Sequence, residues 1–216
     1  VGKGHFITLE GGEGAGKSTL ARALAAKLAK AGVTVRTTRE PGGSPKAEAI
    51  RETILAGRVR GYGPFAEALM FSAARIDHID NLIRPALDRG EWVICDRFVD
   101  STRVYQGVLG KLDAALLAEL EAVTVSGLMP ELTLILDLDP EIGLARAAGR
   151  RRPGEAADRF EGEALAFHRN LRQAYLAIAR AEPERCAVLD ATLPPEALAD
   201  AAWRILRERL PVDPEP

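Results

Sequence analysis

Short apolar runs alternate along the chain with longer amphipathic segments, the pattern of strands buried on both faces by crossover helices. Runs at Phe6 to Glu10, Val33 to Thr38, Trp92 to Asp96, Leu132 to Asp137 and Ala187 to Asp190, rich in Val, Ile and Leu, predict five strands. Helical spacing of apolar positions predicts helices over Lys17 to Ala31, Pro45 to Ala56, Phe65 to Arg89 and Asp113 to Ser126. Each is followed or closed by a glycine (Gly32, Gly57, Gly90, Gly127) able to take the left-handed conformation that ends helices. Pro85 predicts a kink or a division near Arg84, because its nitrogen cannot donate to the preceding turn. Further helices are predicted over Pro140 to Ala148, Glu161 to Ala181 and Pro194 to Leu210, ahead of a Pro-rich tail ending at Pro216. No segment repeats, so one α/β domain with a parallel sheet is expected over residues 1–216.

Composition narrows the function. Lys and Arg number 29 against 31 Asp and Glu, a formal net charge of -2, so no global field marks a nucleic-acid or membrane-surface binder. Basic chemistry must be local, and the stretch Gly149 to Asp158, GRRRPGEAAD, concentrates three arginines in a loop between two helical patterns. Cys95 and Cys186 lie in apolar runs and read as small buried hydrophobes; no CxxC or paired-His spacing supports a zinc site. Val1 to Lys3 are read as a remnant of processing and set aside. Without a secretory leader pattern or a run of about 20 apolar residues, a cytoplasmic protein with no membrane partner is expected.

The segment Gly11-Gly-Glu-Gly-Ala-Gly16-Lys17-Ser18 has the form G-x-x-x-x-G-K-S and stands between a predicted strand and a predicted helix. Gly11, Gly12, Glu13, Gly14, Ala15, Gly16, Lys17, Ser18 and Thr19 are therefore the candidate ATP-binding residues. Glycines let backbone N–H groups wrap a phosphate, the helix starting near Lys17 adds its positive end, Lys17 reaches the terminal phosphates, and Ser18 ligates Mg²⁺. Asp96 is the second candidate metal ligand, because ligands of open parallel sheets collect outside the carboxyl ends of the strands. Arg97 follows it and brings a guanidinium to the transferring phosphate. The expected fold is a P-loop NTPase-type three-layer sandwich, with a five-stranded parallel sheet flanked by helices.

Four further segments, Thr38-Arg-Glu-Pro-Gly-Gly43, Leu69-Met-Phe-Ser-Ala-Ala-Arg75, Asp96-Arg-Phe98 with Ser101-Thr102, and Tyr105-Gln-Gly107, resemble in order and spacing the motif set of thymidylate kinases. The resemblance covers most of the chain from Phe6 to Glu161. Phe71 offers a flat face to a base and Arg75, one helical turn on, a donor to a carbonyl edge, a pairing suited to thymine. The resemblance implies phosphorylation of dTMP to dTDP by ATP with Mg²⁺, on the way to dTTP, in a homodimer. It implies that Phe71 stacks on the base, Arg75 donates to its O4, Thr102 and Gln106 contact its remaining edge, and Tyr105 sits against the sugar. It also implies that Arg51 and Arg97 hold the acceptor phosphate and that Glu13 faces the 3′-OH; Glu40, Pro41 and Ser101 complete the candidate acceptor set.

Asp158-Arg159-Phe160-Glu161 resembles the Asp-Arg-x-Glu that ends the lid of bacterial thymidylate kinases. Positions 12 to 15 of the phosphate loop contain no arginine, so the resemblance is to the subclass whose catalytic arginine comes from a lid, here at about 149–160. Lys17, Arg97, Arg151 and Arg159 are the candidate catalytic residues, with Arg150 and Arg152 as further lid arginines. Val108-Leu-Gly-Lys111 departs from the family's Arg-containing glycine turn, and Arg103-Val104 replaces a neutral residue and Ala. Two other readings stay open on sequence alone. Another nucleoside monophosphate kinase or a deoxynucleoside kinase would differ in acceptor, and a nucleoside acceptor would use Glu10 or Glu40 as base; a nucleotide-dependent switch would use the phosphate loop without a small acceptor. His5, His78 and His168 read as surface or strand-end residues, and Asp77 and Asp80 as a solvated helix face.

Overall fold

The structure, a computed structural model, describes residues 4–150 and 160–212. Arg151, Arg152, Asp158 and Arg159 of the expected lid lie outside these residues, as do Val1 to Lys3 and residues 213–216. Five strands, β1 (Phe6–Gly11), β2 (Val35–Arg39), β3 (Trp92–Asp96), β4 (Leu132–Asp137) and β5 (Cys186–Asp190), form one parallel sheet in the order β2-β3-β1-β4-β5. Central β1 pairs Leu9 with Asp96 on one side and Glu10 with Ile135 on the other. Its carboxyl end therefore lies where the chain switches from one half of the sheet to the other, the position at which such sheets bind ligands.

Helices α1 (Lys17–Lys30), α2 (Pro45–Leu55), α3 (Gly63–His78), α4 (Arg84–Asp88), α5 (Val99–Thr102), α6 (Ala114–Val125), α7 (Pro140–Arg150), α8 (Leu165–Ala181) and α9 (Pro195–Arg209) surround it. On one face Leu20, Leu24 and Leu28 of α1 and Leu198, Ala202 and Leu206 of α9 pack on Ile7, Leu9, Leu134 and Leu136. On the other, Phe6, Val93 and Cys95 meet Ile79, Ile83 and Leu87, while Ile135 and Cys186 meet Leu171 and Tyr175 of α8. Strand alternation sends Thr8 and Glu10 to this second face, where Thr8 and Thr133 hydroxyls lie 2.7 Å apart, so a polar seam runs through the core toward the phosphate loop.

Five expectations are corrected. Edge strand β2 is not buried on both faces: its Arg36, Thr37 and Arg39 are exposed. The long helix predicted over Phe65 to Arg89 starts at Gly63 and is neither broken nor simply kinked: a π-helical turn over Ile79–Ile83 joins α3 to α4 and absorbs the hydrogen bond Pro85 cannot make. A helix and π turn over Val99–Thr102 and Arg103–Leu109 appear where only motifs were read. Helix α8 begins at Leu165 rather than Glu161. His78 and His168 are buried rather than at the surface, and Asp77 accepts from Ser44 Oγ at 2.5 Å while Asp80 alone faces solvent.

Candidate active site

The phosphate loop turns between β1 and α1 on glycines in the left-handed region. Gly14 has φ 67° and lies so near α7 that a Cβ would overlap the Gly143 carbonyl oxygen; Gly16 has φ 97° and caps α1. Lys17 Nζ donates to the Gly11 and Gly12 carbonyl oxygens at 3.1 and 2.9 Å. Burial and the Arg97 charge hold its pKa below the usual lysine value, against the pull of Asp96, Glu13 and Glu10. Ser18 Oγ donates to Asp96 Oδ2 at 2.8 Å, while Thr19 sits on the outer side of the same turn beside Arg22. A hydroxyl and a carboxylate on adjoining elements form a hard-oxygen pair that leaves the remaining positions of an octahedral ion to water and phosphate, which fits Mg²⁺.

Arg97 leaves β3 at φ 73°, a left-handed backbone that costs a side-chain-bearing residue about 1 kcal/mol or more. The turn is held by Glu10, whose Oε1 accepts from the Phe98 and Ser101 backbone N–H groups at 2.8 and 3.3 Å. Its Oε2 accepts from Ser101 Oγ at 2.7 Å and Tyr175 OH at 3.0 Å. The Arg97 guanidinium donates to Glu13 Oε1 at 2.6 Å, to Ser101 Oγ at 3.2 Å and to Tyr175 OH at 3.1 Å, and lies 5.3 Å from the centre of the Tyr105 ring. Burial would raise the Glu13 pKa, but Arg97, Lys17 and His168 outweigh it and keep the carboxyl below its usual range.

A second cavity, of about 130 Å³, opens beside the loop. Phe71, Tyr105 and Phe160 give it aromatic walls, Thr102 and Gln106 line one edge, and Pro41 and Arg51 another. Arg51 donates to the Pro41 carbonyl oxygen at 2.8 Å across a cis Glu40–Pro41 bond. Arg75 stands behind this wall: Nε donates to Glu40 Oε2 at 2.7 Å, and Nη2 to the Phe98 carbonyl oxygen and Thr102 Oγ1 at 3.1 and 3.0 Å, bonds in which Nη1 takes no part. Glu40 Oε1 is 3.1 Å from His78 Nδ1, and His78 Nε2 is 2.7 Å from Thr38 Oγ1. Both oxygens of Glu40 and of Glu10 are thus engaged, so neither carboxylate stands ready as the base a nucleoside acceptor would need. The loop cavity is lined by Gly14 through Ser18, Arg39, Asp96 and Arg150, and shares Glu13, Glu40, Arg51 and Arg97 with the second cavity.

Sequence reasoning missed the buried partners around this constellation. His78 and Tyr175 looked like ordinary helix residues, since one sequence does not reveal which partner a buried polar group finds. Asp100, fully buried, receives Arg185 at 2.7 and 2.9 Å and Arg103 at 3.2 Å, an ion-pair group extended by Glu182 and Glu121. Arg103, one of the two residues at the noted Arg103-Val104 departure, belongs to this group.

A sequence model described as thymidylate kinase matches residues 9–202. A thymidylate kinase of Rhodopseudomonas palustris (strain TIE-1) is 58% identical over 210 residues, 96% of this chain and 90% of the relative. One of Bradyrhizobium diazoefficiens is 53% identical over 209 residues, 97% and 91% of the two chains. The crystal structure of thymidylate kinase from Ehrlichia chaffeensis superposes with a TM-score of 0.75 at 28% identity, covering 95% of this chain and all of the other. Sequence, fold and the pairing of a phosphate loop with an aromatic-walled cavity agree: the chain belongs to the thymidylate kinase family.

Proposed function

We propose that this chain transfers the γ-phosphoryl group of ATP to the phosphate of dTMP, giving ADP and dTDP. The observation that carries the reading is the shared wall of the two cavities, Glu13, Glu40, Arg51 and Arg97, across which a monophosphate in one would meet a triphosphate tail in the other. An acceptor phosphate oxygen forms a bond to Pγ as the bond from Pγ to the β-phosphate oxygen breaks, its electron pair leaving with ADP. The attacking oxygen is already ionised, so no strong base is required. Lys17 and the backbone N–H groups of the loop hold the β- and γ-phosphates, and Arg51 and Arg97 hold the acceptor phosphate. Ser18 and Asp96 would hold Mg²⁺, which when bound offsets charge on the β- and γ-phosphate oxygens.

Phe71 stacks on the base, Arg75 presents Nη1 toward O4, and Thr102 and Gln106 take the remaining edge, with Gln106 oriented by its 3.4 Å bond to Glu67. Tyr105 packs against the sugar and Glu13 meets the 3′-OH. Arg150 lines the loop cavity, and Arg151, Arg152 and Arg159 follow it in sequence as the lid arginines, Arg159 being the best motif match. Two copies associate through α3, whose Leu69 and Ile76 are 44% and 42% exposed while Ile79 belongs to the core. No helix among the described residues is long and apolar enough to cross a membrane. Acting on free nucleotides, the enzyme would work in the cytoplasm.

An ADP-release assay with Mg-ATP against thymidine, dTMP, dUMP, UMP, dCMP and AMP tests the reading. Strong preference for dTMP is expected. Activity on thymidine, or on none of the six, would overturn it. Light scattering of the purified chain, with and without Leu69→Glu, tests the dimer.

A further inference from the structure

The Tyr175 hydroxyl belongs to α8, far along the chain from the phosphate loop, yet it touches the core of the site. Arg97 Nη1 has two hydrogens and donates to Ser101 Oγ at 3.2 Å and to Tyr175 OH at 3.1 Å. The two hydroxyls lie 2.9 Å apart, and each reaches Glu10 Oε2, at 2.7 and 3.0 Å. A guanidinium N–H only donates, so both hydroxyls turn a lone pair toward Nη1, and a closed ring of four groups holds Arg97 there. The Nη2 side is different, since its partner is the carboxylate of Glu13 at 2.6 Å. A carboxylate cancels the charge an acceptor phosphate would use; two neutral hydroxyls fix the guanidinium without cancelling it.

We propose that Tyr175 is a positioning residue for phosphoryl transfer, holding Arg97 in register with the phosphate loop. The inference rests on the reading of Arg97 as the arginine that binds the acceptor phosphate. Helix α8 supplies the register: His168, Leu171, Arg172 and Tyr175 share one face, and together they line a small cavity against Gly12 and Glu13 of the loop. Side chains three and four residues apart on one helix thus touch the loop and Arg97 at once. Tyr175 is 1% exposed, and the hydroxyl rather than the ring makes every bond in the ring of four.

The experiment is a double-mutant cycle on the full chain, comparing wild type, Arg97→Ala, Tyr175→Phe and the double variant, with separate kcat and KM values for dTMP and ATP. Tyr175→Phe is expected to lower kcat/KM for dTMP by about tenfold and to leave KM for ATP within about twofold, with little further loss in the Arg97→Ala background. Equal losses for both substrates, additive losses in the cycle, or no loss at all would overturn the proposal. Arg97→Ala without effect on dTMP would instead remove the reading of Arg97, and the proposal with it; a wild type inactive on dTMP would remove both. Should Tyr175→Phe fail to fold, Glu10→Gln enters the same cycle, where it is expected to show the same selective loss; additivity with Arg97→Ala would count against the proposal equally.

Discussion

Ser18 Oγ and Asp96 Oδ2, 78 residues apart in sequence, lie 2.8 Å apart and join the first turn of α1 to the end of β3. The bond gathers two hard oxygens at the mouth of the phosphate loop. Asp96→Asn keeps the shape and removes the charge. The Mg²⁺ concentration for half-maximal rate is expected to rise by about tenfold or more while KM for dTMP changes little. Mg²⁺ titration of the steady-state rate checks this, and an unchanged titration would place the metal elsewhere.

Lys17 gives up hydration to sit on two loop carbonyls. Its removal in Lys17→Ala is expected to lower kcat by about a hundredfold or more and to leave the melting temperature within a few degrees, because no buried carboxylate loses its hydrogen-bond partner. Calorimetry beside the ADP-release assay reads both. Near-normal turnover would end the assignment of the loop to phosphate.

Arg75 and Glu40 form an ion pair with both side chains 3% exposed. Arg75→Ala leaves a buried carboxylate facing only His78, and is expected to cost about 3 kcal/mol of stability or more. It should also raise KM for dTMP far more than KM for ATP. Urea unfolding gives the first quantity, and kinetics well below the melting temperature give the second; a selective loss for ATP would reverse the assigned polarity of the site.

The Glu10 pKa is raised from 4.5 to about 7, first by burial and then by the charge of Asp100, with Arg97 and the Ser101 and Phe98 hydrogen bonds opposing. Between those values the folded chain keeps a proton that the unfolded chain releases. This contribution to stability is complete below about pH 4.5 and is lost as pH rises through about 7. Glu10→Gln removes it, so the wild-type stability curve is expected to fall relative to that of the variant by up to about 3 kcal/mol across the window. Urea unfolding between pH 5 and 8 checks this; parallel curves would mean that Glu10 ionises normally.

Strand positions were legible because β3 and β5 carry unbroken apolar runs and those of β1 and β4 are interrupted by one threonine each, Thr8 and Thr133; the phosphate loop was legible because its glycines and Lys17 fall within one short segment. Helix ends at Gly32, Gly57, Gly90 and Gly127 were legible for the same local reason, each having φ near 70–80°. The segment after Phe98 was not. Val99, Val104 and Leu109 are spaced by five, a period that matches neither strand nor α-helix; Val104 and Leu109 fall in the π turn, and Val99 in α5 just before it. Phe71, Arg75, Gln106 and Tyr105 were found through motifs; Phe71, Gln106 and Tyr105 line one cavity, while Arg75 is buried behind its wall on Glu40 and Thr102. The buried partners that orient them, His78 and Tyr175, depend on contacts between distant elements and leave no local trace.

The strand order has a consequence for how this protein can change. The ends of β2 and β3, with Glu40, Asp96 and Arg97, stand on one flank of β1, whereas the ends of β4 and β5, with Asp137 and Asp190, stand on the other. Phe71, Thr102, Tyr105 and Gln106 of the second cavity precede Leu109, whereas Phe160 of the same cavity follows β4. On the proposed reading, laboratory selection for a new acceptor would have to vary two separate stretches of chain, residues 40–106 and the neighbourhood of Phe160, while the loop from Gly14 to Ser18 is inherited unaltered.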